Sequence, residues 1–205
     1  DGVHPGWAGH LVMAYAFLKA MGLDGEIATI TLNWADGAAT ASDGHRVLSA
    51  QSGRIEIESG RYPFCAAGPA NNDGSLRSGM TLVPFNAELN RFMLVVPNAP
   101  AGNYRVTWGE TSKTYSAGNL AAGVNLAADF ETNPFSEAFK RVDDAVANKQ
   151  DYETRQIKNL FHGPEGRADA AMTAELTEKV RAPLAEAVRT AFVPVRHTIA
   201  VASEP

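Results

Sequence analysis

Asp1-Gly2-Val3-His4-Pro5-Gly6-Trp7-Ala8-Gly9-His10 opens the chain, and its reading governs how the rest is understood. Trp7, Leu11, Ala14, Leu18 and Met21 recur at intervals of three and four, which predicts a helix over residues 6–22 with one apolar stripe. Pro5 suits the start of that helix and Gly22 its end. Asp1 and His4 are therefore expected on the loop before it. A carboxylate three residues before an imidazole can bend back and accept the ring Nδ1–H. That contact fixes the tautomer and leaves Nε2 as a general base. It also stabilises the imidazolium formed when the base takes a proton from a serine. As bare spacing, the pattern is also that of a capping aspartate and a surface histidine.

The following stretch, about residues 25–132, is rich in Gly, Ser, Thr and Asn. Short alternating or β-branched runs predict strands at Glu26–Leu32, Arg46–Leu48, Gly53–Glu58, Met80–Pro84, Phe92–Val96, Tyr104–Trp108 and Lys113–Ser116. Turn clusters separate them, among them Asp36-Gly37, Asp43-Gly44 and Asn71-Asn72-Asp73-Gly74. An antiparallel sheet or small sandwich is the expectation. Beyond Pro134 the composition changes: 21 of the 71 residues from 135 to 205 are charged, against 20 of the 134 before them. A helical tail is expected there. Phe135, Phe139, Val142 and Val146 make one face, and Tyr152, Ile157, Leu160 and Phe161 a shifted one. A second helix over about 173–192 would place Leu176, Val180, Leu184, Val188 and Phe192 inside, with Pro183 kinking it or marking its start. His197–Ala202 reads as a final strand. The fold class is thus α+β, in three parts: 1–24, a loop and helix; 25–132, a β-rich region; and 133–205, a helical tail.

Composition narrows the function classes. The chain has 205 residues, 45% hydrophobic and 20% charged, enough for a core. A formal net charge of −5, without a run of five like charges, argues against a nucleic-acid binder or a ligand for anionic membranes. The longest nearly apolar stretch, Leu11–Leu18, is too short for a membrane span. A single cysteine, Cys65, excludes an internal disulfide and reads as an inert thiol. His10 with His4 lacks a third ligand for a metal. His45, His162 and His197 read as isolated solvent or interface residues, and Trp7, Trp34 and Trp108 as core. Neither a metal nor an organic cofactor is called for.

Asp1-Gly-Val-His4-Pro5, then Gly9-His10, then a helix carrying Met13-Ala14 and ending at Met21-Gly22, resembles the last conserved block of the SGNH/GDSL hydrolases. The match covers roughly the first 23 residues. Pro84-Phe85-Asn86, Glu88–Arg91, Ala101–Tyr104 and Gly123–Ala127 resemble the C-terminal extension of a bacterial subset of such proteins. The resemblance implies that Asp1 orients His4, that His4 is the general base of a Ser-His-Asp triad, and that the helix is the last of an α/β/α, flavodoxin-like domain. It also implies an extracytoplasmic bacterial address. The Gly-Asp-Ser nucleophile block and the Gly and Asn oxyanion donors of that family have no counterpart here. Asp73-Gly74-Ser75-Leu76 has the wrong order and follows the Asp-x-x-His block.

Two functions are expected from this reading. In the first, the chain is the C-terminal part of a serine esterase acting through an acyl-enzyme on a carboxylic ester, an acylated carbohydrate among the candidates. Its nucleophile and oxyanion donors then come from a missing N-terminal catalytic segment or a second chain, and the chain alone is inactive. The start at Asp1, without Met or a secretory leader, fits a processed or cut polypeptide. In the second, residues 25–205 form a non-catalytic module that binds a glycan or partner or forms an oligomer, and keep a vestige of the hydrolase.

Overall fold

Glu26-Ile-Ala-Thr-Ile-Thr-Leu32 alternates small or apolar residues with polar ones, and every second side chain goes inward. In the computed structural model, which describes residues 3–205, this segment is β1 (Glu26–Leu32). It follows α1 (Trp7–Ala20). Then come β2 (Ala39–Ala41), the hairpin β3 (His45–Gln51) and β4 (Arg54–Ser59), and the short helices α2 (Leu76–Gly79) and α3 (Phe85–Leu89). β5 (Arg91–Val95), β6 (Asn103–Trp108) and β7 (Thr111–Ser116) lead to α4 (Ala117–Ala122), β8 (Val124–Asn125) and α5 (Leu126–Asp129). A helical stretch holds α6 (Ser136–Arg155), a π-helical turn (Gln156–Phe161), α7 (Pro164–Ala168) and α8 (Ala170–Ala191). β9 (Val195–Glu204) ends the chain.

The chain divides into two units, one running to Ser136 and completed by Pro194–Pro205, the other Glu137–Val193. The first holds two sheets, a mixed one in the order β2-β1-β5-β8 and an antiparallel one in the order β3-β4-β9-β6-β7. The fold is therefore mixed α+β. The purely antiparallel expectation is corrected at one ladder: β1 and β5 run parallel, Ile30 opposite Leu94. Their connection carries the β3–β4 hairpin, α2 and α3, and a parallel pair needs such a long crossover. Met80–Pro84, expected as a strand, is the turn between α2 and α3. The Thr81 hydroxyl donates to the Ser78 carbonyl at 2.7 Å, a local bond that competes with a ladder. The strand expected over 197–202 spans Val195–Glu204 and lies between β4 and β6, so residues 133–205 are helical only up to Ala191.

Inward residues of both sheets meet in one core: Ala28, Ile30, Phe92 and Leu94 from one, Ile55, Ile57, Val106, Trp108, Ile199 and Val201 from the other. Each fully buried aliphatic or aromatic side chain contributes roughly 1.5–3 kcal/mol. Within this apolar layer runs one polar line. The Trp108 indole N–H donates to His197 Nδ1 at 3.1 Å, so the neutral imidazole carries its proton on Nε2 and donates to Ser59 Oγ at 2.9 Å. The Ser59 hydroxyl donates to His45 Nδ1 at 2.8 Å, and His45 Nε2–H donates to the Ile27 carbonyl of the other sheet, also at 2.8 Å. Every bond points the same way. Of the two histidines expected as isolated solvent or interface residues, His197 is buried in the core and His45 is half-buried at its edge. Phe92 and Phe135 flank His197, with ring centroids 5.8 and 4.9 Å away.

In the second unit α8 begins at Asp169, whose carboxylate caps the Met172 N–H at 2.9 Å. The predicted inner stripe is displaced. Leu176, Val180 and Phe192 are exposed, whereas Thr173 and Thr177 are buried. Both hydroxyls donate to carbonyls four residues back, which satisfies them where they are buried. Opposite them, the Tyr152 hydroxyl donates to the Thr177 carbonyl at 3.1 Å and Gln156 Nε2 donates to Thr177 Oγ1 at 2.8 Å. Of the shifted face expected at Tyr152, Ile157, Leu160 and Phe161, Tyr152 is buried but Ile157 is exposed, and Gln156 takes the buried place in the π-helical turn after Arg155. No helix among the described residues is long and apolar enough to cross a membrane.

Burial, with a smaller push from His45, lowers the His197 pKa to about 3, and burial lowers that of His45. An unfolded histidine titrates near 6.5. The folded state therefore binds fewer protons than the unfolded state below that pH. This stabilising contribution is complete above about pH 6.5 and is lost as pH falls toward 3, at about 1.4 kcal/mol per pH unit for His197. Urea midpoints measured at pH 7, 6 and 5 should fall progressively, and less steeply in His197→Gln. Midpoints flat over that range would refute the neutral, donor-ordered line.

Candidate functional site

α1 places the loop before it, and three contacts fix α1. Its inner face is Ala8, Leu11, Tyr15 and Leu18, packed with Phe85, Leu89, Leu76 and Met80 from α2, α3 and their connection. The expected stripe therefore divides: Leu11 and Leu18 turn inward, Trp7, Ala14 and Met21 outward. Trp7, expected in the core, is 62% exposed. Gly79 allows the close approach, because a Cβ there would lie 2.8 Å from the Ala8 carbonyl oxygen and 2.9 Å from Leu11 Cβ. Glu88 holds the helix laterally. It accepts the Tyr15 hydroxyl at 2.7 Å and pairs with Lys19 at 2.9 Å, and these bonds keep the Glu88 carboxyl below its usual range.

His4 lies on an exposed bend two residues before the N-cap of α1, Gly6. Asp1 lies outside the described residues. The Pro5 ring sits against Gly9, where an added Cβ would come within 2.7 Å of Pro5 Cβ, so the bare glycine sets the angle at which the loop meets the helix. His10 Nδ1 lies 3.0 Å from the carbonyl of Gly6, the N-cap of α1. Groups of three or more His, Cys, Asp or Glu placed to hold a metal are absent among the described residues.

Ser75, in the misordered Asp73-Gly74-Ser75 string, is a structural residue. Its hydroxyl donates to the Pro69 carbonyl at 2.7 Å and accepts the Ser78 N–H at 3.1 Å, capping α2. Cys65 is half-buried, and desolvation raises its thiol pKa, in keeping with an inert thiol. It borders a cavity of about 160 Å³ beside α2, where Arg77 donates to the Ala66 carbonyl and pairs with Glu131. Sequence reasoning missed the His45–Ser59–His197 line. Its signal was the alternation Val195, His197, Ile199, Val201, which puts His197 on the inward face.

The geometry defines a mixed α+β class of fold with an exposed histidine loop at the start of a firmly seated helix. No family model matches the sequence, and no curated protein matches it. Among solved structures, BT4096, a gut microbial diltiazem-metabolizing enzyme, has a TM-score of 0.70 over 100% of this chain at 21% identity. The match takes in 56% of that enzyme's chain, so this chain spans a little over half of its length. The likeness is one of fold.

Seating α1 on Gly79 has a direct test. Gly79→Ala should lower stability by about 1–3 kcal/mol through overpacking and should expose residues 7–22 to protease. An unchanged melting temperature with an unchanged cleavage pattern would show that α1 does not depend on this contact.

Proposed function

We propose that the chain is the C-terminal part of a serine esterase of the SGNH/GDSL type. The observation that carries this reading is the Asp1-x-x-His4-Pro5 loop joined to a helix with two apolar faces, one seated and one open. Trp7, Phe17 and Met21, each more than 60% exposed, together with Met13, mark the open face. A helix that is apolar all round is one that other structure covers on both sides. The fold likeness supports the same reading, since the neighbour continues well beyond the part matched here. Diltiazem carries an acetate ester, so its metabolism is compatible with ester hydrolysis. An α/β/α, flavodoxin-like domain supplied by further chain would cover the open face, with α1 as its last helix.

In that enzyme a serine from the further segment attacks the ester carbonyl. His4 Nε2 takes the hydroxyl proton and returns it to the leaving alcohol. Asp1 accepts the Nδ1–H and holds the tautomer. Backbone and Asn N–H groups of the same further segment stabilise the oxyanion. The seated inner face of α1 keeps the histidine loop in place while this chemistry proceeds.

The test uses the longer polypeptide. A fluorophosphonate probe should label one serine, and His4→Ala should abolish labelling and reduce p-nitrophenyl acetate hydrolysis by about 10³-fold or more. Asp1→Asn should cut turnover while leaving KM nearly unchanged. A longer protein that neither labels nor hydrolyses the ester would sink the proposal.

A further inference from the structure

A concavity of about 500 Å³ opens where the two sheets meet at the end of β1, within the ~300–1,000 Å³ range of small-molecule sites. One wall is Trp34. Its neighbours are Ser52 and Gly53 from the β3–β4 turn, Ala202 and Ser203 from β9, and Gly37. Among the described residues no charged side chain lines it. Trp34 is half-buried, with its ring edge-on to Tyr104 at a centroid distance of 5.0 Å. The indole N–H of Trp34 and the hydroxyls of Ser52 and Ser203 have no hydrogen-bond partner among the described residues. The wall is also held in advance of any ligand. Asn33 Nδ2 donates to Asp36 at 2.9 Å, Asp36 accepts the Ala38 N–H at 2.9 Å, and Asn98 Nδ2 donates to Asn33 Oδ1 at 3.0 Å. Ser52 occupies the left-handed region at φ 49°, followed by Gly53 at φ 78°, a tight hairpin turn in which a serine replaces the residues that adopt it most readily.

We propose that this concavity is a binding site for a neutral carbohydrate, one sugar ring stacking on Trp34 while its hydroxyls pair with the indole N–H, Ser52 and Ser203. The chemistry selects this class. An indole face is electron-rich and attracts the weakly positive C–H face of a pyranose. Uncommitted hydroxyl and N–H groups suit a ligand that both donates and accepts. A neutral lining offers nothing to compensate a phosphate or carboxylate for its desolvation. The bracing of residues 33–38 limits the ordering cost on binding. The inference is independent of the esterase reading, since binding here involves no bond cleavage and needs no residue of the His4 loop.

The test follows the indole N–H resonances of the ¹⁵N-labelled chain during titration with methyl β-glucopyranoside, methyl β-galactopyranoside, methyl α-mannopyranoside and N-acetylglucosamine. The Trp34 signal, assigned by its loss in Trp34→Phe, should shift saturably with at least one sugar while those of Trp7 and Trp108 stay in place. Trp34→Ala should remove binding. Because Trp34 also packs against Tyr104, two gentler variants accompany it. Ser52→Gly keeps the left-handed turn and Ser203→Ala keeps the strand, and each should weaken binding about threefold or more by removing one hydroxyl. The proposal is overturned by no saturable shift with any of the four sugars, or by binding that persists unchanged in Trp34→Ala and in both serine variants.

Discussion

The proton-ordered line from the Trp108 indole to the Ile27 carbonyl is the contact on which the first unit turns. It starts in β6, passes through β9, β4 and β3, and ends on β1, so one run of four hydrogen bonds joins the two sheets through an otherwise apolar layer. Apolar packing is tolerant of small displacements. This line is not, because each imidazole nitrogen must meet a partner of the opposite kind. Protonating His197 would set an N–H against the Trp108 N–H, and shifting β9 by one residue would turn His197 out of the core. The line thus favours one register and one sheet-to-sheet alignment over the many that the apolar residues alone would permit. The cost is acid sensitivity, since desolvation holds both imidazoles in the neutral form.

The same strand that receives this line carries the elements with chemical interest. α1 turns into β1 through Gly22–Gly25, and Arg91, at the start of β5, donates to the Asp24 carbonyl at 2.7 Å. α3 then anchors α1 from the side through Glu88. The start of α1, and with it the His4 loop, is positioned by Ala8 and Leu11 on Gly79 and by Pro5 on Gly9, while Glu88 holds the far half of the helix. Under the esterase reading, this seating carries an exposed histidine to a nucleophile on other chain. The inner face of α1 meets α2 and α3, and its outer face is the surface that the esterase reading gives to the further domain.

Much of the β-rich region was legible because alternation is a local signal. Ile30, Leu32, Ile55, Ile57, Val106 and Ile199 all fall inward where period two puts them. The parallel β1–β5 ladder was not legible, because strand direction is settled by a crossover of nearly sixty residues and not by either strand. The α1 stripe is legible only in part, at Leu11 and Leu18. Trp7 and Met21 fit a three-and-four spacing as well as Ala8 and Tyr15 do, and when nearly every position of a helix is apolar, periodicity cannot choose the face. On α8 the opposite problem arose: threonines bury themselves by bonding their own backbone, a device that hydrophobicity does not register. For the candidate site, the sequence pointed to His4 and Asp1 through a short motif. It gave no sign of the Trp34 concavity, whose walls come from residues far apart in the chain.

β1 also explains why the two candidate features belong to one unit. Its seven residues span roughly 23 Å. At its start it is fastened to α3 and hence to α1. At its end it delivers Asn33 and Trp34 into the braced turn. Between these ends Ile27 takes the last bond of the buried line, while Ala28, Ile30 and Leu32 fill the core. Neither end can move without straining this central strand, paired on both sides by β2 and β5. The loop before α1 and the Trp34 turn are thus connected through one strand. Changes at Trp34, Ser52 and Ser203 leave the packing that seats α1 in place, because no side chain is shared between the two.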